Sequence, residues 1–276
     1  MGVFRRHLGD MGLDSFGVIM VRCLSAAVMF ALMMAVKSPE DFVVRPKDIW
    51  CFIGSGICSL LFFTACYFQA MNLMSLSTAA ILLYTAPIFV IFISAILFKE
   101  KLTKTKLFAM VLAFAGCCLV SGVAGGDTRI TLAGLLYGLG SGFGYALYSI
   151  FSKLAFERGY RSTTINLYSC MLAFLGAGII WGFKQPMSVM LSSWGNFGYC
   201  VLAGFITCFL PYALYTFGLT KTEAGKASIM ASVEPVVATI AGFVAFGEKP
   251  DIFALLGIIL VLAAIILLNR KEKTKN

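Results

Sequence analysis

The sequence predicts an all-α membrane protein, a polytopic helical bundle made of two inverted-topology repeats. Three observations predict it. The chain is 60% hydrophobic and 13% charged, with a mean hydropathy of +0.91, where a soluble domain carries about one quarter charged residues. Shifted by 148 residues, the sequence lies on itself without a gap. Gly56 then meets Gly204, Tyr67 meets Tyr215, Ala79 meets Ala227, Pro87 meets Pro235, and Phe98-Lys99-Glu100-Lys101 meets Phe246-Gly247-Glu248-Lys249. Finally, lysine and arginine gather in alternate loops.

Crossing about 30 Å of hydrocarbon takes about 20 mostly apolar residues. Nine segments qualify: 13–36, 49–70, 76–98, 106–123, 130–152, 163–183, 196–219, 226–247 and 252–269. The first carries Arg22 in its middle. The third and eighth carry Pro87 and Pro235 at equivalent positions, and the seventh carries Pro211. In the fifth, Gly134, Gly138 and Gly142 make a small-residue ridge suited to close helix approach, within the bundle or across a homodimer.

One set of loops holds Lys37, Arg45, Lys47, four lysines from Lys99 to Lys106, Lys153, Arg158, Arg161, Lys221, Lys226 and the basic tail at 270–276. The opposite set holds Arg5, Arg6, Arg129, Lys184 and Lys249. The positive-inside rule makes the first set, and with it the C-terminus, cytoplasmic. It also accounts for the net charge of +9 without a nucleic-acid partner.

The second half, 130–269, holds five spans, and the first, 1–123, holds four. Moved back by 148, the span 130–152 would begin before Met1. The first half is therefore expected to lack its first helix, with residues 1–8 as the end of that helix or the loop after it. A five-span unit is odd-numbered, so its duplicate lies upside down in the membrane.

Several function classes fall away. Nine cysteines are scattered, nearly all in spans, without CxxC or a Cys/His cluster. They read as small packing residues rather than redox or metal ligands. The single histidine, His7, lies at the N-terminus, so no Ser-His nucleophile can be built, and no HExxH or intramembrane Asp pair occurs. Gly138 to Gly144 superficially looks like a phosphate loop but lacks the following Lys-Ser/Thr and lies in an apolar span. No enzyme, no cofactor and no ATP-driven pump is expected.

Among the 13 acidic residues only Glu234 sits well inside a span. Arg22 is the corresponding lone base. By the 1.5 Å rise per residue, Glu234 lies about 12 Å from its helix end and Arg22 about 14 Å from its own, both near mid-depth. A charge there costs about 2.5–3.5 kcal/mol, so each should face a cavity or a partner. Under the 148-residue shift Glu234 falls on Ala86 and Arg22 on Cys170, so the scaffold does not require either charge. Glu234 either lines a pathway, binding an amine or titrating with a coupling proton, or is a structural glutamate beside the carbonyl that Pro235 frees. Arg22 binds an anionic group or locks two helices.

Pro87, Pro235 and Pro211 each remove an N–H and should kink their helices, as gates or as fitted bends. Tyr84, Tyr145 and Tyr212 lie deep, where a hydroxyl needs a partner, and are candidates to line a pathway. Tyr67 and Tyr215 read as interface-belt residues. Glu100 and Glu248, at span ends beside lysines, are either gate latches or charges that fix a helix end.

With these residues in register, the chain resembles the drug/metabolite transporter superfamily, specifically its EamA-type members. Val233-Glu234-Pro235-Val236 followed by Phe246-Gly247-Glu248 is similar to that family's E-P-V…G-E pattern. Ala86-Pro87 with Phe98-Lys99-Glu100 is the weaker first-half counterpart. Gly134-Leu135 with Tyr145-Ala146-Leu147-Tyr148 is similar to the family's first helix of the second repeat. The resemblance implies two inverted five-helix repeats around a central pathway in the cytoplasmic membrane. It also implies alternating-access transport of a small metabolite, amino acid or amphiphilic compound, as an exporter. The absent helix leaves open a shortened, non-transporting paralogue or partner subunit.

Overall fold

The computed structural model describes residues 2–121, 131–237, 239–240 and 251–269. Among these the regular structure is helical and no strand occurs. In chain order the helices are α1 (Gly2–Asp10), α2 (Ser15–Lys37), α3 (Pro46–Leu73), α4 (Leu76–Leu97), α5 (Lys104–Val120) and α6 (Leu132–Glu157). They continue with α7 (Ser162–Trp181), α8 (Lys184–Met190), α9 (Trp194–Leu219), α10 (Ala224–Ala231), a helical segment opening at residue 234, and α11 (Ile252–Asn269).

Six of these, α2, α3, α4, α7, α9 and α11, are long and apolar enough to cross a membrane. The other three expected spans are helical but differ for separate reasons. α5 runs 17 residues before the described residues stop. α6 is 26 residues long, but its glycines, tyrosines and serines dilute its hydropathy. The segment 226–247 is interrupted after Ala231 and passes beyond the described residues.

The chain forms two compact units, Met1–Phe68 with Leu147–Lys221, and Gln69–Ala146 with Thr222–Asn276. Each unit therefore draws on both sequence repeats. In the first, α2 packs along α7, and Leu8, Leu13, Val18, Val21, Met190, Cys200 and Ala203 form a buried cluster. In the second, α5 packs along α11, with Ile91, Ala109, Ala113, Ile229, Ala264 and Leu268 buried together. In both units the partners are repeat equivalents.

Local features reproduce the repeat residue by residue. Thr103 caps α5 by accepting from the Lys106 amide at 3.2 Å, and Asp251, 148 residues on, caps α11 by accepting from the Ala254 amide at 2.7 Å. Each satisfies an amide that the helix start leaves orphaned. Wide-turn π segments interrupt α3 at Gly54–Leu61 and α9 at Phe205–Phe209. α4 breaks at Tyr84-Thr85, and the second half breaks at Ser232-Val233.

The gapless 148-residue register fails in one place. A Cβ on Gly56 would meet the Ser169 carbonyl and Leu172, while one on Gly204 would meet the Arg22 carbonyl and Ser25. The first span thus repeats at an offset of 147. Arg22 corresponds to Ser169, not Cys170, and Cys23 corresponds to Cys170. Between the matched positions the second half carries one residue more, 35 from Ser169 to Gly204 against 34 from Arg22 to Gly56, and surface connections absorb such insertions readily.

Candidate functional site

Proline chemistry builds the central feature of the second unit. Pro87 has no N–H, and inside a continuous helix its ring would strike the carbonyl four residues back. The first half of α4 therefore closes with a tight bond from the Thr85 amide to the Leu82 carbonyl at 3.2 Å, and a new helix starts at Ala86. Pro87 then falls in a first turn, where the missing donor costs nothing. The second repeat does the same. The Val233 amide donates to the Met230 carbonyl at 3.2 Å, and helix resumes at Glu234, just before Pro235. The expected kinks at Pro87 and Pro235 are thus full interruptions, three residues ahead of Pro87 and of its repeat partner.

The glycine ridge of α6 lies against the first of these breaks. A Cβ on Gly142 would sit 2.5 Å from Thr85 Oγ1 and 2.8 Å from the Leu82 carbonyl, and one on Gly138 would strike Leu82. The ridge serves packing within the unit, which brings Tyr145 of α6 alongside the interruption.

A narrow recess opens where the two breaks meet. Its cavity volume is about 10 Å³, and it is lined by Leu83, Tyr84, Ala86 and Pro87 from the first repeat and by Ala231, Ser232 and Glu234 from the second, with Ser228 and Tyr145. Leu83, Tyr84 and Ala86 correspond under the 148-residue shift to Ala231, Ser232 and Glu234, so the walls match in backbone and differ in chemistry. Glu234 is exposed, while Ser232, Pro235 and Val236 around it are buried. The lining presents one carboxylate, two phenols and two serine hydroxyls, with no cationic side chain. Three of the five sequence candidates, Glu234, Tyr84 and Tyr145, come together here.

Arg22 and Tyr212 belong to the first unit. Arg22 Nη2 donates to the Thr207 carbonyl at 2.6 Å, and its Nε is buried without a hydrogen-bond partner. Thr207 stands four residues before Pro211, so its carbonyl is the one that proline leaves without an amide. The π segment at Phe205–Phe209 takes up the remaining misfit, so Pro211 is accommodated by a widened turn. The repeat counterpart is Ser169, whose Oγ lies 2.5 Å from Ser55 Oγ in the other π segment. Tyr212 packs edge-on against Tyr148, with ring centroids 4.7 Å apart.

The Glu100 side chain is 5% exposed and reaches a second helix as well as the end of its own, where Ser94 Oγ donates to Oε2 at 3.2 Å. Its Oε1 accepts from the Ala224 amide at 2.9 Å and its Oε2 from the Gly225 amide at 3.3 Å, across 124 and 125 residues of chain. Lys106 Nζ stands 3.5 Å from the same carboxylate and 2.6 Å from Glu223. The expectation for Glu248 lies outside the described residues.

Two polar groupings were not expected as groups, although Tyr148 is itself one of the tyrosines inside the spans read from the sequence. Tyr148 donates to Asn166, whose amide nitrogen donates to Thr216 Oγ1 at 2.9 Å, all buried in the first unit. Tyr215, read as a belt residue, instead pairs with Ser149 at 2.6 Å. The buried Asp48 receives Arg158 Nε at 3.1 Å, Tyr160 at 2.9 Å and Arg45 Nε at 3.0 Å, and Arg158 also lies over the Trp50 ring. Among the described residues no group of His, Cys, Asp or Glu could hold a metal ion.

Apolar helices with paired interruptions, one of them carrying a carboxylate, are the features of a multi-pass membrane protein of the transporter kind. The chain belongs to the EamA-like transporter family, whose profile matches residues 1–122 and again 132–270. It is 28% identical to an uncharacterized transporter of Archaeoglobus fulgidus over 98% of this chain and 92% of that one. It is 24% identical to the uncharacterized transporter YxxF of Bacillus subtilis over 99% and 86%, and 28% identical to YwfM of the same organism over 88% and 82%. A solved crystal structure superposes with a TM-score of 0.76 at 16% identity, covering 93% of this chain and 88% of that one, a likeness of fold alone. The protein is a membrane transporter and not an enzyme.

Proposed function

We propose that this chain is a secondary exporter of a small amine-bearing or amphiphilic metabolite. It would cross the cytoplasmic membrane nine times and work by alternating access, with Glu234 binding the amine or a coupling proton. The recess carries this reading. Discontinuous helices from two repeats place substrate and ion sites where they meet, and here matched stretches of both repeats wall one recess that contains a single carboxylate. An amine fits a lining of one carboxylate, two phenols and no cation, because a charge at this depth needs an opposite partner.

Inverted topology is supported by the α5–α11 pairing. A Cβ on Gly116 would meet the Gly257 carbonyl and one on Gly257 the Gly116 carbonyl, while Ala109 and Ala264 share the same core cluster. Contacts that run forward along one helix and backward along its repeat equivalent belong to antiparallel copies. The loop lysines and arginines support a cytoplasmic C-terminus, which a C-terminal fluorescent or phosphatase fusion would check.

The test is flux in proteoliposomes driven by a pH gradient, with ethidium and a pool of radiolabelled amino acids as probes. The wild type should move at least one of them, and Glu234→Gln should abolish pH-driven movement at normal reconstitution. Equal flux and pH response in both would remove Glu234 from coupling, and flux of neither probe class would remove the proposed substrate range.

A further inference from the structure

We infer that Glu100 is a positioning residue for the recess: its carboxylate holds the N-terminus of α10 and thereby sets where Ser232 and Glu234 stand. The consequence for transport rests on the reading above, while the mechanical part stands on geometry alone.

The two repeats start their equivalent helices differently. In the first, Ser75 caps α4 itself, accepting from the Thr78 amide at 3.1 Å. In the second, the residue 148 positions later is Glu223, whose side chain makes no cap bond and turns instead to Lys106 at 2.6 Å. The open amides of Ala224 and Gly225 are taken by Glu100, one to each carboxylate oxygen. Glu100 is itself fixed by Ser94 Oγ, which donates to Oε2 at 3.2 Å, and by Lys106. The Glu100 and Lys106 side chains are 5% and 4% exposed, so the arrangement works where water does not compete and charge-assisted bonds are strong.

α10 is short enough to transmit what happens at its start. Glu234 follows Ala224 by ten residues, about 15 Å at helical rise, with no other hinge between the cap and the break at Ser232-Val233. Ile229 of α10 and Ile91 of α4 share one buried cluster, so α10 rides on the half of α4 that starts at Ala86. Gly225 lies under the clamp: a Cβ there would touch Glu100 Oε2 at 3.4 Å and press on the Ile91 side chain at 3.1 Å, shifting α10 against α4. The clamp and the recess residues Ser228 and Ala231 belong to one two-turn rod, and releasing the carboxylate frees that wall, which leads through Ser232-Val233 into Glu234, to move. Glu100 thus acts as a gate latch.

The experiment places a reporter thiol in the recess. Ser228 lines it and is 2% exposed. In S228C, N-ethylmaleimide labelling of the 222–233 peptide is followed by mass spectrometry on the purified full chain, with exposed Cys58 as the internal reference. Glutamine at position 100 replaces one of the two acceptor oxygens with an NH2 donor that faces an N–H, so adding Glu100→Gln should speed S228C labelling about five- to thirty-fold, the range expected for losing a helix cap. Gly225→Ala, which keeps every charge, should give a smaller rise. Unchanged labelling in both, even with a lowered melting temperature, makes the clamp merely structural and overturns the inference. If Glu100→Gln does not fold, Gly225→Ala decides alone. Labelling needs no transported compound, so its failure leaves the transport reading standing. Faster labelling without flux removes the transport reading instead.

Discussion

Arg22 donates at 2.6 Å to the Thr207 main-chain carbonyl, the acceptor that Pro211 strands by lacking an amide four residues on. A proline in an apolar helix must have its orphaned carbonyl satisfied by protein or water. Here a charged residue from α2 does so inside the widened turn at Phe205–Phe209. Of the two sequence readings for Arg22, the geometry supports a lock between helices.

Pro211 and Arg22 should therefore be energetically coupled. Arg22→Ala leaves a part-buried carbonyl unpaired, a loss of about 1 kcal/mol. Pro211→Ala restores an amide that can take over, so R22A should cost much less in that background. Thermal unfolding of the purified single and double variants completes the cycle. Costs that simply add would show that the two residues do not serve the same carbonyl.

Much of this was legible in the chain because prolines and repeats carry geometry in one dimension. Pro87 over Pro235 marked where both helices would bend, and the overlay set Glu234 against Ala86 beside them before any contact was known. The partner of Arg22 was hidden, since a main-chain carbonyl has no residue letter; Pro211 standing four residues beyond Thr207 was the available clue. Glu100 looked like a span-end charge because its bonds cross about half the chain, and helix-start amides leave no mark in sequence. Tyr148, Asn166 and Thr216 were single polar letters on three helices, and only tertiary packing makes them a network. The 147-residue offset of the first span was invisible because helical packing, not letter identity, sets register.

Asp48 should stabilise the end of the first unit by gathering Arg158, Tyr160 and Arg45. Its side chain is 7% exposed, but Arg158 and Arg45 are 33% and 54% exposed, so solvent screens much of the attraction. Arg158 also keeps the Leu154 carbonyl at 3.1 Å and the Trp50 ring. Asp48→Asn should accordingly lower stability by clearly less than the loss of a fully buried pair. Melting curves at low and high salt check this. A loss that does not shrink with salt would mean the hydroxyl of Tyr160, rather than the arginines, carries the effect.

The reciprocal contact between Gly116 and Gly257 makes a sharper claim about the second unit. Each Cβ would stand within 2.7 Å of the other's carbonyl, so α5 and α11 can approach this closely only while both positions lack a side chain. Gly116→Ala and Gly257→Ala should each cost about 1–3 kcal/mol as overpacking. The double variant should cost less than their sum, because the separation forced by the first methyl makes room for the second. Gly218 is the control. It lies in α9 with nothing within 4 Å of a built Cβ, so Gly218→Ala should raise stability by about 0.5–1 kcal/mol through helix propensity. Thermal unfolding of the four variants tests the set. If G116A and G257A behave like G218A, the close crossing of repeat-equivalent helices is wrong, and with it the main support for antiparallel copies.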